Sequence, residues 1–536
     1  MDITNQDRCK AAFILAVIGD ALGWPYEQNS NRIGKKDELS SNGFINWKRR
    51  SGGKYYAHIE EIGGGAYSDD SQLLLATARS LMSTETWMNA FSKCELPTWL
   101  LYQRGGGGAT LRAAKCWNNN EKPWSKKNAR EIRYFEAGGN GALMRILPHV
   151  IYNSSNKKEI FKQVFANSIY THGHPRAIIG ALIYADAVSY MLSINKTLDY
   201  GELIEYLIKN KSQWSQVPDI NNIDNWLLSA QDIYRDRYYD IWKQTVEETI
   251  DLLKIAQKGL SQGIIEVMDN TLNSLGCFDK KVNGAGTNTA VVSIYLACKY
   301  ASSPQQGLVQ AATLKNADTD TIASAVGGLL GALYGMECIP IEWMKVQDFE
   351  YVYDVSQRLS ERAKELYKHE QWLQDNVIIL KRKMRNMQIG SSFVIAPFNK
   401  VELLSKEKLE SQISKYDVYL YTCKSEFGQS IYFKDYIPVD KALETKFTRI
   451  EPVKEKNDNR YGRFIELCDS IQRIVPPRIT AKKIFKVIEL ILNELEKNDT
   501  VDQLDKMDEV VKKKIIKMEV SEKVIQDLIK EIKKCK

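Results

Sequence analysis

The stretch NADTDTIASAVGGLLGALYG, from Asn316 to Gly335, sets the hardest condition on how this chain folds. Asp318 and Asp320 alternate with Thr319 and Thr321, and an unbroken run of apolar and very small residues follows. Such a run demands burial. Ala323, Ala325, Gly327 and Gly328 leave its surface so shallow that neighbouring helices can crowd against it. A plain helix cap needs one short polar side chain, not two carboxylates beside two hydroxyls. The segment reads either as an overbuilt acidic cap or as half of a site that holds something.

A second acidic helix start lies far upstream in YSDDSQLLLATARSL, where Gly63, Gly64 and Gly65 precede Ser68, Asp69, Asp70 and Ser71. Alone, it suits the positive end of a helix dipole. If the two starts meet, four carboxylates would repel and raise one another's pKa values. A hard cation such as Mg²⁺, which prefers oxygen ligands, is the simplest way to keep them ionised. A third element is GDALGWPYE: Asp20 sits at a helix end, Gly23 permits a turn and Pro25 stops regular helix. Glu27 then stands on a loop, where a carboxylate can serve as a base.

Glycine-rich connections supply a different chemistry. In GGNGALMRILPHV, Gly138, Gly139 and Gly141 flank Asn140 next to a helix start, and QRGGGGATLRAA offers a similar loop with Gly105, Gly107 and Thr110. Backbone N–H groups in such loops can hold phosphate or ribose oxygens. Neither loop continues into the G-K-[ST] of a P-loop or follows a clear strand. In THGHPRA, His172 and His174 are two residues apart on a turn. That spacing suits hydrogen bonding or structure better than a zinc pair.

The chain has 536 residues, 44% hydrophobic and 26% charged, the composition of a soluble globular protein with more than one domain. A net charge of +7 is mild at this length, and basic and acidic residues nearly balance after residue 451, which argues against a nucleic-acid-binding tail. The nine cysteines are scattered without a C-x-x-C pair, as expected of reduced thiols, and five histidines without a Cys/His cluster argue against zinc. The N-terminal run AAFILAVIGDALG is too short to cross a bilayer, contains Asp20 and lacks a cleavage site. The expectation is a cytoplasmic protein with no membrane association.

Apolar spacing of three and four predicts helices over 72–82, 175–192 and 241–260, and a helical texture to about residue 370. Beyond about 385, residues 391–397, 417–423 and 430–439 read as short strands. From Ile479 the chain turns helical again, with Thr480 as cap and Ile484, Ile488, Ile491 and Leu495 on one face. The expected plan is an all-α domain over residues 1–370 and a smaller α+β extension over 386–536, available for partner or target recognition.

Taken in order, GDALGWPYE, YSDDS, GGNGALMR, THGHP and NADTDTIA with GGLLGALYG resemble the ADP-ribosylglycohydrolase family over roughly residues 8–365. The resemblance implies an all-α fold with two Mg²⁺ ions, Mn²⁺ sometimes substituting. Ser68, Asp69 and Asp70 would supply one half of the metal shell, and Asp318, Asp320 and Thr321 the other. Gly105, Gly107, Thr110, Asn140, Gly141 and His172 would contact ADP-ribose, and Glu27, Asp69 or Asp70 would take a proton from water. The implied activity is hydrolysis of the bond at C1″ of an ADP-ribosylated protein or nucleic acid. Rival readings are an ADP-ribose-binding module without turnover and an immunity-type protein that blocks an ADP-ribosylating toxin. Asn316 and Ala317 stand where the family usually has two glycines, and Ser68 where threonine is commoner.

Overall fold

In the computed structural model, the described residues are 4–27, 31–33, 43–125, 131–195, 197–219, 224–262, 268–364, 367, 375–439, 481–497, 507–518 and 520–535. The fold is built on two long helices, Asn5–Gly23 and Thr319–Tyr334, buried along nearly their whole length. They run antiparallel and touch through their backbones. A methyl group added at Gly19 would lie 2.2 Å from Ala323 O, and one at Gly23 would lie 2.3 Å from Thr319 O. From the other side, Gly327 meets Leu15 O at 2.2 Å and Gly331 meets Ala11 O at 2.5 Å. The contacts recur every four residues on each helix, the spacing of one helical face. Only residues without a side chain permit this approach, so the small-residue run after Asp320 is a packing surface.

Further helices cover this pair. Those predicted over 72–82, 175–192 and 241–260 are found as Asp69–Leu81, Pro175–Ser193 and Tyr238–Ser261. Asn5–Gly23, Pro175–Ser193, Gly286–Lys299 and Thr319–Tyr334 share one large apolar core. Two helices, Pro175–Ser193 and Thr319–Cys338, are long and apolar enough to cross a membrane by composition, but 78% and 89% of those windows lie buried inside the fold.

The strands form one seven-stranded sheet with a bipartite origin. β1 (Arg32–Ile33), β2 (Trp47–Ser51) and β3 (His58–Ile62) come from the helical part. β4 (Ser392–Ile395), β5 (Asn399–Ser411), β6 (Tyr416–Ser425) and β7 (Ser430–Pro438) come from the region after residue 386. The order is β1-β2-β3-β5-β6-β7, with β4 on the other side of part of β5. The halves join where His58 pairs with Ser411 and Ile59 with Glu410. Strand pairing thus crosses the boundary drawn at residues 370–386. An apolar core crosses it too, combining Leu73, Phe91, Trp99 and Tyr102 with Phe393, Phe398, Tyr421 and Phe433.

β4, β6 and β7 correspond to the predicted strands; β1–β3 and β5 are additional. The last part is helical, as expected, with Ala481–Lys497, Glu509–Ile516 and Glu522–Cys535 sharing a separate small core around Ile484, Val487, Ile491 and Leu528. The predicted cap Thr480 lies outside the described residues.

Candidate metal centre

The antiparallel pair brings the C-terminal end of Asn5–Gly23 against the N-terminal end of Thr319–Tyr334, and both acidic helix starts converge there. Thr319 Oγ1 donates to Gly23 O at 2.8 Å, locking the two ends together. A single 3-10 turn, Trp24–Tyr26, then delivers Glu27. The Asp69 helix is fastened by Asp20, whose carboxylate accepts from Ser68 N at 3.1 Å, Ser71 N at 2.9 Å and Ser71 Oγ at 2.5 Å. Three of the sequence motifs therefore meet in one place.

Ligand oxygens of Glu27, Asp318 and Asp320 lie within 4.8 Å of one another. Asp69 lies close enough to act on the titration of Glu27, and Asp70 on that of Asp320. Every carboxylate that shifts here shifts upward. Burial, then Asp318 and Asp69, push Glu27 to about 8, against the pull of Arg49. Burial and Asp20 push Asp69 to about 7. Asp70 and Asp320 are raised well above the ordinary range by burial and by their acidic neighbours.

Buried acids without a counter-charge take up protons rather than remain ionised. Asp70 Oδ2 is buried without a hydrogen-bond partner. An all-oxygen donor set with an orphaned carboxylate oxygen fits a hard divalent cation. Glu27, Asp318 and Asp320 can therefore hold a metal ion.

The remaining predicted residues occupy defined places. Ser68 caps the Asp69 helix, its hydroxyl accepting from Asp70 N at 3.2 Å. Thr321 donates its backbone N–H to Asp320 Oδ1 at 2.8 Å, and its side chain stands near enough to Asp70 to temper that acid's upward shift. Asn140 Nδ2 donates to Asp318 Oδ2 at 2.7 Å, so this glycine-loop residue aims an acidic one. Gly141 leaves no room for a side chain, since an added methyl would meet His172 Cε1 at 2.9 Å and Thr110 Oγ1 at 3.0 Å.

His172 is pushed down to about 3 by burial, with Arg145 and Arg112 adding to the effect, so it is a neutral group. His174 is structural: it caps the Pro175 helix, Nδ1 accepting from Arg176 N at 3.1 Å. Gly105 adopts a left-handed φ of +102° beside Asp69 Oδ1, and Gly107 caps the Gly108–Asn118 helix with open space beside it. Asn316 takes a left-handed φ of 63° and is exposed. Asparagine tolerates that conformation better than most side chains, which accounts for its standing where glycine is usual.

Sequence reasoning noted Asp20 without giving it a role in the site, and passed over Arg49, Arg104 and Glu60. Asp20 had a visible signal: an acidic residue inside an otherwise apolar helix is a buried charge that needs partners. The others had none, because their meeting depends on the sheet. Arg49 on β2 lies over the Trp24 ring at 5.1 Å and is near enough to Glu27 and Asp69 to influence both.

Residues 1–374 match the ADP-ribosylglycohydrolase family. The ADP-ribosyl-[dinitrogen reductase] glycohydrolase of Rhodospirillum rubrum is 23% identical over 347 residues, covering 64% of this chain and 92% of that protein. A solved structure described as an ADP-ribosylglycohydrolase-related protein complex covers 67% of this chain and 99% of its own, at 19% identity and a TM-score of 0.41. With the match spanning well over half of its length, the chain belongs to the ADP-ribosylglycohydrolase family.

Proposed function

We propose that the protein is a metal-dependent hydrolase that cleaves the bond at C1″ of an ADP-ribosylated protein or nucleic acid and releases ADP-ribose. The observation that carries this reading is the approach of Glu27, Asp318 and Asp320 to within 4.8 Å beside buried Asp69 and Asp70. Ser68, Asp69 and Asp70 on one side and Asp318, Asp320 and Thr321 on the other would hold two Mg²⁺ ions, with Mn²⁺ able to replace them. When bound, the ions supply a grip on the ribose hydroxyls and stabilise negative charge.

The protein residues account for the rest. Gly105, Gly107, Thr110, Asn140, Gly141 and neutral His172 hold the ADP-ribose and fix the ring for attack. Water oxygen bonds to C1″ as the bond to the acceptor breaks, its electron pair leaving with the acceptor atom. The carbon passes through oxocarbenium character, as in other glycoside cleavages. Glu27, Asp69 or Asp70 receives the water proton.

The test incubates the protein with Mg²⁺ and arginine-, serine- and nucleobase-linked ADP-ribose, beside an Asp318→Asn/Asp320→Asn variant. Release of ADP-ribose by the wild type alone is the expected result. Metal-dependent binding of ADP-ribose with no release from any substrate would replace this reading with a binding module. Protection of a toxin target that survives the double substitution would replace it with an immunity role.

A further inference from the structure

β7 lies outside the residues that match the family, yet its side chains reach Glu60 of β3 and Arg104, the residue before Gly105. Lys434 Nζ donates to Glu60 Oε2 at 2.7 Å, and Arg104 Nη2 donates to Glu60 Oε1 at 3.3 Å. The Arg104 guanidinium also lies over the Tyr432 ring, 3.9 Å from its centroid. Arg104 is the residue before Gly105, and its backbone N–H is held by Gln72 Oε1 at 3.1 Å. Both its backbone and its side chain are therefore fixed, one by the Asp69 helix and the other by the sheet. The next residue is Gly105, where an added methyl group would stand 2.9 Å from Asp69 Oδ1.

A second buried link reaches the same motif from its other end. Asp348 accepts from Tyr67 Oη at 3.0 Å, Lys424 Nζ at 2.8 Å, Ser430 N at 2.7 Å and Ser430 Oγ at 2.7 Å. Tyr67 immediately precedes Ser68, while Lys424 and Ser430 belong to β6 and β7. A third link joins Arg79 of the Asp69 helix to Gln429, Nη1 to Oε1, at 2.7 Å. Buried charged hydrogen bonds of this kind fix geometry strongly, because a broken one leaves a charge stranded away from water.

We propose that the C-terminal strands are a working part of the substrate site beside the metal centre, in which Lys434, through Glu60 and Arg104, is a positioning residue for the glycine loop at Gly105–Gly108. The inference rests on the proposed function, in which that loop holds ADP-ribose beside Asp69. Lys434 touches no reacting group; it sets where the loop backbone stands.

The experiment uses the intact chain and compares wild type, Lys434→Met and Lys434→Arg. It measures amide hydrogen exchange over residues 104–108, ADP-ribose affinity by calorimetry in Mg²⁺, and Mn²⁺ affinity by electron paramagnetic resonance. Lys434→Met is expected to speed loop exchange and to weaken ADP-ribose binding by about tenfold or more, the scale of a misplaced binding group. Mn²⁺ affinity should stay within about twofold, and Lys434→Arg should restore the loop.

Unchanged exchange over 104–108 in Lys434→Met overturns the proposal. A joint fall in melting temperature, Mn²⁺ affinity and ADP-ribose affinity that Lys434→Arg does not repair also overturns it, since that is general destabilisation. If Lys434→Met does not fold, Tyr432→Leu removes the ring against Arg104 without unpairing Glu60 and gives the same readouts. Should the wild type bind Mn²⁺ but no ADP-ribose, the proposed function falls, and the exchange measurement still upholds or overturns the link.

Discussion

Two buried ionic clusters stand side by side in this molecule, and their carboxylates behave in opposite ways. In the acidic cluster, burial and like charges drive Glu27, Asp69, Asp70 and Asp320 upward. In the Glu60 cluster, burial also pushes the carboxyl up, but Lys434, Arg104 and Arg49 outweigh it and hold Glu60 well below the usual range. The residue type and the depth are alike. What differs is the share of positive charge: Lys434, Arg104 and Arg49 outweigh burial at Glu60, whereas Arg49 only partly offsets the acidic cluster, which takes up protons or can hold a metal ion. A buried acid is structural where the chain neutralises it and a candidate for function where the chain does not.

The comparison breaks most visibly if charge is taken from the acidic side. Asp318→Asn with Asp320→Asn should lower ADP-ribose release by about a thousandfold, ~4 kcal/mol in barrier. In the chelator-treated protein the same change should raise the melting temperature, because two mutually repelling acids are gone. A lower melting temperature in chelator would sink the repulsion account. Glu60→Gln should do the reverse, costing about 3 kcal/mol of stability to urea whether or not Mg²⁺ is present, since it strands buried cations.

A third change tests whether helix packing, rather than attraction, holds the acids together. Gly23→Ala would drive a methyl group to 2.3 Å from Thr319 O. It should cost about 2 kcal/mol and weaken Mn²⁺ binding by spreading Glu27 from Asp318 and Asp320. Unaltered Mn²⁺ affinity would mean that the acids find one another without that frame.

The smallest effect is read against pH. Without metal, the folded state keeps Glu27 protonated up to about 8, against an ordinary value of 4.5. The stability this contributes is complete below the ordinary value and is lost as pH rises through about 8. Metal must displace that proton and those held by Asp69, Asp70 and Asp320, so Mg²⁺ affinity should climb by about tenfold or more per pH unit between about 5 and 8. Titrations at pH 6, 7 and 8 check this; a flat profile would mean that Glu27 takes no part.

Which parts were legible in the sequence follows from how local their signals are. YSDDS and NADTDT each occupy one helix start, so a short window contains the whole pattern, and the small residues behind Asp320 do pack as their size suggests. Helix periodicity likewise survives in isolation, as Pro175–Ser193 shows. β5 does not read as a strand because its pairing with β6 shifts register between Leu403 and Ser405, which interrupts the alternation of buried and exposed positions. β2 is short and interleaves Lys48, Arg49 and Arg50, a pattern that resembles a loop until β5 completes the sheet some 350 residues later. The Glu60 cluster was invisible for the same reason: each of its four charged members is unremarkable in its own window.

The glycine ladder between Asn5–Gly23 and Thr319–Tyr334 also has a consequence during synthesis. The first helix is buried without a break from Ala11 to Gly23, and the partner that packs along it lies about 300 residues downstream. At a translation speed of roughly 5 to 20 residues per second, it waits on the order of 15 to 60 seconds after leaving the ribosome. Through that interval a nascent chain carries an exposed oily helix with Asp20 in it. Chaperone demand should therefore fall sharply in a permuted gene that places the two helices next to each other.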